Sequence, residues 1–213
     1  MEVVIDITYL GHSSFKIKSK GAVVVTDPYD SKSTGLKFPK TEAQIVLVSH
    51  EHPDHSNSMG VDGSPKVISG PGEYEVRCVS VVGIPSYHDG KKGEERGSNT
   101  IYVFNVDGVV LCHLGDLGHK LSQDQLSEIG DVDILFVPVG GVYTIDASDA
   151  VEVIASIDPK IVIPMHYKVE GLTYELGDLN KFVKEIGMEP SKTERFTIAR
   201  DSLPESRQLV IFT

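Results

Sequence analysis

Three of the chain's eight histidines stand within six residues, in the run His50-Glu51-His52-Pro53-Asp54-His55. Imidazole nitrogens and carboxylate oxygens are donors that zinc, manganese and iron accept. Thiolates are scarce, with Cys78 and Cys112 the only two cysteines. In extended backbone a His-x-His pair points both rings to one side, so His50 and His52 can grip one ion. Pro53 keeps the segment from continuing as an ordinary helix. A turn beyond it redirects Asp54 and His55 toward a second ion nearby. The competing reading is a polar loop that happens to be rich in histidine. His88, Asp116 and His166 weigh against it, because each also stands just past a β-like run.

Those runs are the elements that must position the donors. Ile45–Ser49 leads into His50, Val76–Pro85 into Tyr87-His88, Val109–Leu114 into Gly115-Asp116, and Ile161–Met165 into His166. Sites in layered α/β folds collect where strands end and loops begin. Further strands are expected at Val3–Leu10, Ser14–Lys18, Ala22–Thr26, Lys66–Ser69, Val76–Gly83, Thr100–Val106, Asp133–Val139, Phe196–Ala199 and Leu209–Phe212. Ile45–Ser49, Asp133–Val139 and Ile161–Met165 read as strands buried on both faces. Asp107-Gly108 is a hairpin signal. Helices are expected at Ser122–Ile129, with Ser122 as cap and Gly130 past its end, at Asp149–Ile157, with Asp146 or Ser148 near its start, and at Leu179–Ile186. Residues 29–40 and 88–98 read as surface loops, so residues 1–213 form one domain.

Composition narrows the function class. The 213 residues are 40% hydrophobic and 24% charged, with 20 glycines and 11 prolines, a globular and turn-rich balance. A net charge of −11 repels phosphate backbones. A small-molecule substrate is therefore expected, with neither nucleic acid nor membrane as partner. No apolar run approaches the roughly 20 residues of a membrane helix, and the opening stretch Met1–Ile7 has no signal-like pattern; a cytoplasmic protein is expected. Both cysteines sit in apolar β-like runs and read as buried thiols.

The run His50-Glu51-His52-Pro53-Asp54-His55 resembles the His-x-His-x-Asp-His motif of the metallo-β-lactamase-fold hydrolases, and the chain resembles a predicted zinc-dependent, lactonase-like branch of them. The supporting stretches are YLGHSSF (9–15), TDPYD (26–30), SYHDGKKGEERGSNTI (86–101), CHLGDLGH (112–119), PVGGVYTIDASDA (138–150) and IPMHY (163–167). The resemblance implies an α/β fold, a four-layer αββα sandwich with metals at one edge. It implies one ion on His50, His52 and His88, a second on Asp54, His55 and His166, Asp116 bridging, and a hydroxide between two divalent ions. Zinc is the first candidate, with manganese and iron also accepted. Many family members place the third histidine in a Gly-His-Thr-type segment, whereas here the candidate is His88 in SYHDG, with His119 its competitor. His52 replaces the Glu of oxygen-reducing di-iron relatives, which weighs against redox chemistry.

The expected function is hydrolysis of a small-molecule ester, lactone or phosphoester. The alternatives are a non-catalytic metal- or metabolite-binding module and, more remotely, a nuclease. Asp54 is the candidate to orient or deprotonate the water, and His12, His113 or His119 to protonate the leaving group. Each of these histidines has a plain structural reading beside it. Asp27 is a candidate acceptor for a ligand histidine. Arg96 could clamp a carboxylate or phosphate, or form a solvated ion pair with Glu94 or Glu95. Tyr143 and Thr144 precede a helix N-terminus and could face an anion, or form a capping loop.

Overall fold

Alternation of buried and exposed side chains runs along Val79–Tyr87, the period-2 pattern of a strand with one face on a core. Ile45–Val48, Ile134–Pro138 and Ile161–Met165 are buried at every position, as the unbroken apolar runs require. The structure is a computed structural model that describes residues 4–213. Val3, expected to begin the first strand, lies outside the described residues.

Two sheets form. The first runs, edge to edge, Phe196–Ala199, Val4–Gly11, Ser14–Lys18, Val23–Thr26, Ile45–Val48 and Lys66–Ser69. The second runs Pro190–Thr193, Gln208–Phe212, Ile161–Met165, Ile134–Pro138, Val109–His113, Ser98–Val106, Val79–Tyr87 and Gly72–Val76. Their facing sides share one core: Ile7, Phe15, Ile17 and Leu47 of the first pack with Tyr102, Phe104, Phe136 and Ile163 of the second. Phe15 and Phe136 meet across it with ring centroids 4.4 Å apart; burying each such side chain contributes roughly 1.5–3 kcal/mol. The outer face of the second sheet is covered by helices Gln123–Ile129, Ala147–Ile157 and Leu179–Ile186, whose Ile129, Ile154 and Phe182 join Leu135, Val137 and Val162. This is the αββα sandwich. Its layer outside the first sheet is thin: Val25, Val46 and Val48 are covered by Ala43, Val61 and Phe38.

Local chemistry explains the boundaries. Ser122 and Gln125 form a reciprocal cap, and Gly130 ends that helix. Asp146, rather than Ser148, caps the next, accepting from Ser148 N and Asp149 N. Asp107 (φ 51°) and Gly108 (φ 83°) make the expected two-residue hairpin.

Three expectations need correction. The expected strand Val76–Gly83 is two strands, Gly72–Val76 and Val79–Tyr87, joined at Arg77 (φ 49°) and Cys78 (φ 60°). No glycine or asparagine marks that turn. Cys78 is consequently exposed rather than buried, while Cys112 is buried. The stretch 29–40 contains a helical turn, Ser31–Thr34, capped by Asp30 and ended at Gly35 with φ 76°. Among the described residues no helix is long and apolar enough to cross a membrane.

Candidate metal centre

Every strand that delivers a candidate donor points the same way within its sheet. In the first sheet Val23–Thr26 and Ile45–Val48 are parallel, and Val4–Gly11 has that direction too, being two antiparallel steps from Val23–Thr26. In the second sheet the same count aligns Val79–Tyr87, Val109–His113 and Ile161–Met165. The C-terminal ends bring His12, Asp27, the 50–55 run, His88, Asp116 and His166 to one edge. The backbone bends sharply there: His12 (φ 55°), Asp27 (φ 38°) and His166 (φ 53°) are left-handed without being glycine, which costs about 1–3 kcal/mol each and persists where the surroundings enforce it. One enforcing contact is His166 N donating to His12 O at 3.1 Å.

The side chains converge on Asp116. Its Oδ2 lies 3.1 Å from His166 Nε2, 3.2 Å from His55 Nε2, 3.2 Å from His88 Nε2 and 3.9 Å from His50 Nε2. Asp54 Oδ2 lies 3.2 Å from His12 Nε2 and 3.6 Å from His55 Nε2. Among the described residues three groups have donor atoms mutually within 4.8 Å: His12, Asp54, His55 and His166; His50, His52 and His88; and His50, His55 and Asp116. The opposite ring nitrogens are fixed from behind. His55 Nδ1 donates to Asp27 Oδ2 at 2.8 Å. Ser49 Oγ gives its hydrogen to Asp27 Oδ2 and receives His50 Nδ1–H at 2.9 Å. His88 Nδ1 donates to Tyr143 O at 3.1 Å. In each case Nε2 is the nitrogen turned inward, the arrangement that orients imidazole ligands.

Electrostatics favours a cation here. Burial opposes ionisation of Asp116, but His166 and His55 hold its carboxyl well below the usual carboxylate range. Burial likewise opposes charge on Asp54, and the hydrogen bond from His12 and the nearby His55 keep it low. Burial pushes His50 down to about 3 and His12 to about 4, so both rings are neutral near pH 7. His55 is the exception: burial disfavours its charge, yet Asp116 and Asp27 on either side raise it well above an ordinary histidine. A position between two carboxylates that holds a proton so firmly is one that attracts positive charge.

Close backbone approach makes the edge compact. A Cβ on Gly118 would stand 2.4 Å from Asp89 N and from the His88 carbonyl carbon, and one on Gly140 would stand 2.1 Å from His166 O. Asn99, which sequence reasoning missed, anchors the Asp116 loop: its Oδ1 accepts from Asp116 N at 2.9 Å and its Nδ2 donates to Leu114 O. Its signal is its place inside the quoted SNTI stretch.

A cavity of about 320 Å³ opens above the donors, lined by His52, Asp54, His88, Asp116 and His166, with Arg96, Tyr143 and Tyr174 as its outer wall. Arg96 and Tyr143 therefore line the cavity beside the donors. Thr144 does not line it; its hydroxyl turns to Ile145 O and its N–H to Gly141 O, the capping-loop alternative. Tyr174 was missed. It is held by Ser33 of the helical turn, while Thr173 bonds Ser33 O and Thr34 O. His113 stays outside the clusters because both ring nitrogens are taken: Nε2 donates to Ser13 O and Nδ1 accepts from Gly115 N. His119 also stands apart, its Nε2 accepting from Tyr87 N and its Nδ1 donating to Lys120 O.

Residues 6–166 match the family described as beta-lactamase superfamily domain. A UPF0173 metal-dependent hydrolase from Carboxydothermus hydrogenoformans is 31% identical over 191 residues, covering 76% of this chain and 84% of the relative. Among solved structures, a Thermotoga maritima protein assigned to the Zn-dependent hydrolases of the metallo-β-lactamase superfamily superposes with a TM-score of 0.79, at 35% identity over 98% of each chain. Igni18, a metallo hydrolase from Ignicoccus hospitalis, shares the fold at a TM-score of 0.66 and 21% identity, covering 92% of this chain and 98% of its own.

Proposed function

Because the chain belongs to the metallo-β-lactamase superfamily, among its UPF0173 metal-dependent hydrolases, we propose that it hydrolyses a small-molecule ester, lactone or phosphoester at a centre of two divalent ions. The observation that carries this reading is a set of orphaned atoms. His50 Nε2, His55 Nε2 and Asp116 Oδ1 are buried at the edge without a hydrogen-bond partner. Each such atom costs about 1–3 kcal/mol if left unsatisfied, and a pair of cations at this edge satisfies them. His50, His52 and His88 would hold one ion, Asp54, His55 and His166 the other, with Asp116 between. A donor set of nitrogen and oxygen suits zinc first, and also manganese or iron.

Bound there, divalent ions supply Lewis acidity toward a substrate oxygen and lower the pKa of water. The chain's own residues do the rest. Asp54 reaches the cavity, stays ionised, and is held by His12, so its Oδ2 is the atom that orients water and accepts its proton. Of the three histidines considered for protonating the leaving group, His113 and His119 spend both ring nitrogens on backbone, and His12, neutral and buried, bonds Asp54 Oδ2 and so acts on the proton through Asp54. A 320 Å³ cavity in an acidic protein suits a small molecule better than a nucleic acid. Two free thiols, one exposed, accord with a cytoplasmic location.

The test is elemental analysis joined to turnover. Protein reconstituted with zinc, manganese or iron is assayed for metal content and then against lactones, aryl esters and phosphodiesters. About two ions per chain and turnover of one class are expected. Less than half an ion per chain rejects the centre. Full metal content without turnover of any class returns the protein to a metal-dependent binding module.

A further inference from the structure

We propose that the substrate carries an oxyanion, carboxylate or phosphate, separate from the bond that is hydrolysed, and that Arg96 receives it at the outer wall of the cavity. The proposal rests on the hydrolase reading for the word substrate, but not for the binding site itself. Arg96 lines both the cavity above the donors and an adjoining one of about 370 Å³, and it is the sole lysine or arginine lining either among the described residues. Its guanidinium stands 5.5 Å over the Tyr143 ring centroid. A guanidinium placed over a ring keeps edge N–H groups for a second partner.

That partner is not supplied by the chain. Acidic residues outnumber basic ones by 31 to 20, yet the carboxylate that Arg96 approaches is Glu95, with Nη1 to Oε2 at 3.7 Å. Glu95 is drawn away by Lys91, whose Nζ donates to Oε1 at 2.7 Å. An exposed contact of that kind adds little. Among the described residues the guanidinium forms no hydrogen bond.

The position of Arg96 is nonetheless set with care. Asp89 is buried and accepts four backbone hydrogen bonds, from Lys91 N and Gly93 N at Oδ1 and from Glu95 N and Arg96 N at Oδ2, at 2.7 to 3.0 Å. The loop closes through His88 N to Gly97 O and Gly97 N to Gly93 O. Tyr143, under the guanidinium, gives its carbonyl to His88. One connected unit thus ties the ring of His88 to the cation of Arg96. An anion-binding group ordered before its ligand arrives loses less entropy on binding. Tyr143 and Tyr174, edge to face at 6.4 Å, wall the space between Arg96 and the donors. The substrate's middle is accordingly apolar or flat, with the oxyanion at one end and the scissile group at the other.

The experiment uses metal-loaded protein labelled with [15N]arginine, with benzoate and phenyl phosphate as probes. The Arg96 Nε–H signal is the one missing from Arg96→Gln. It is expected to shift saturably with one of the two probes, and the probe with the lower Kd names the anion. Arg96→Gln should weaken that probe about tenfold to a hundredfold, as expected for losing a charge-assisted hydrogen bond, while keeping wild-type metal content. No shift, equal affinity in the variant, or loss of metal from the variant overturns the proposal. A saturable shift with no turnover of any ester leaves this site standing and removes the hydrolase reading. Turnover with Arg96 silent does the reverse. Where turnover is found, adding the preferred anion to the substrate should raise kcat/KM about tenfold, and Arg96→Gln should erase that gain through KM.

Discussion

Asp27 Oδ2 and His55 Nδ1 are 2.8 Å apart, and the same carboxylate takes both the N–H and the hydroxyl of Ser49. Asp27 thus sets the direction of His55 directly and of His50 through Ser49, from behind the centre. Asp27→Asn tests this with little backbone penalty, because asparagine tolerates the left-handed φ of 38° found there. Losing such an outer partner typically costs tenfold to a hundredfold in metal affinity. Chelator competition should show a loss of that size with circular dichroism unchanged. Wild-type affinity in the variant removes Asp27 from this role.

His88→Ala should release about one metal per chain, whereas His119→Ala should keep both and change rate at most. His88 turns Nε2 toward Asp116 and ties Nδ1 to Tyr143 O, while His119 spends Nε2 on Tyr87 N. Metal counting after gel filtration decides, and the opposite pattern reverses the assignment.

Much of the centre was legible because its donors are local or follow strands. The 50–55 run carries four candidate ligands in six residues, and His88 and His166 directly follow strands whose apolar runs announce them. What escaped depends on distant chain. Asn99 matters through Asp116, Tyr174 through Ser33, and Gly118 through the backbone passing His88; no spacing rule links these positions. Of the two readings open for Thr144, its contacts match the capping loop, because a residue before a helix can turn its hydroxyl to its own neighbour's carbonyl. The Arg77-Cys78 turn escaped because both residues adopt positive φ without the usual turn chemistry.

The same turn makes a simple prediction. Cys78 is exposed, and Cys112 is buried, where burial raises its thiol far above the usual range. Native protein should take up about one equivalent of iodoacetamide at pH 8, and two in urea. Mass spectrometry after digestion should place the first label on Cys78. Rapid native labelling of Cys112 would contradict the packing of the second sheet against its helices.

Gly118→Ala should disturb the centre without touching a donor. The new methyl would meet Asp89 N and the His88 carbonyl carbon at 2.4 Å, and backbone cannot yield as a flexible side-chain tip can. Overpacking of this kind costs about 1–3 kcal/mol. Urea unfolding should show a loss in that range, together with weaker metal retention because His88 is displaced. A variant with wild-type stability and metal content would mean that the loop carrying His88 moves freely.

Asp89 supplies the pH dependence. Burial opposes its ionisation, but the backbone N–H groups of Arg96, Gly93, Lys91 and Glu95 bring its carboxyl down to about 2. A depressed folded-state pKa contributes stability that is present above the ordinary carboxylate value, near 4, and is lost as pH falls through about 2. The order of loop 89–97 should therefore hold above pH 4 and weaken between pH 4 and 2. Asp89→Asn keeps the size but loses the charge and one acceptor oxygen. Its destabilisation relative to wild type, read from urea unfolding, should be largest above pH 4 and should shrink toward pH 2. The Arg96 amide should exchange faster in the variant at pH 5. A stability difference that does not change between pH 5 and 2 would show that the carboxylate is not what orders the loop, and the fixed placement of Arg96 would need another cause.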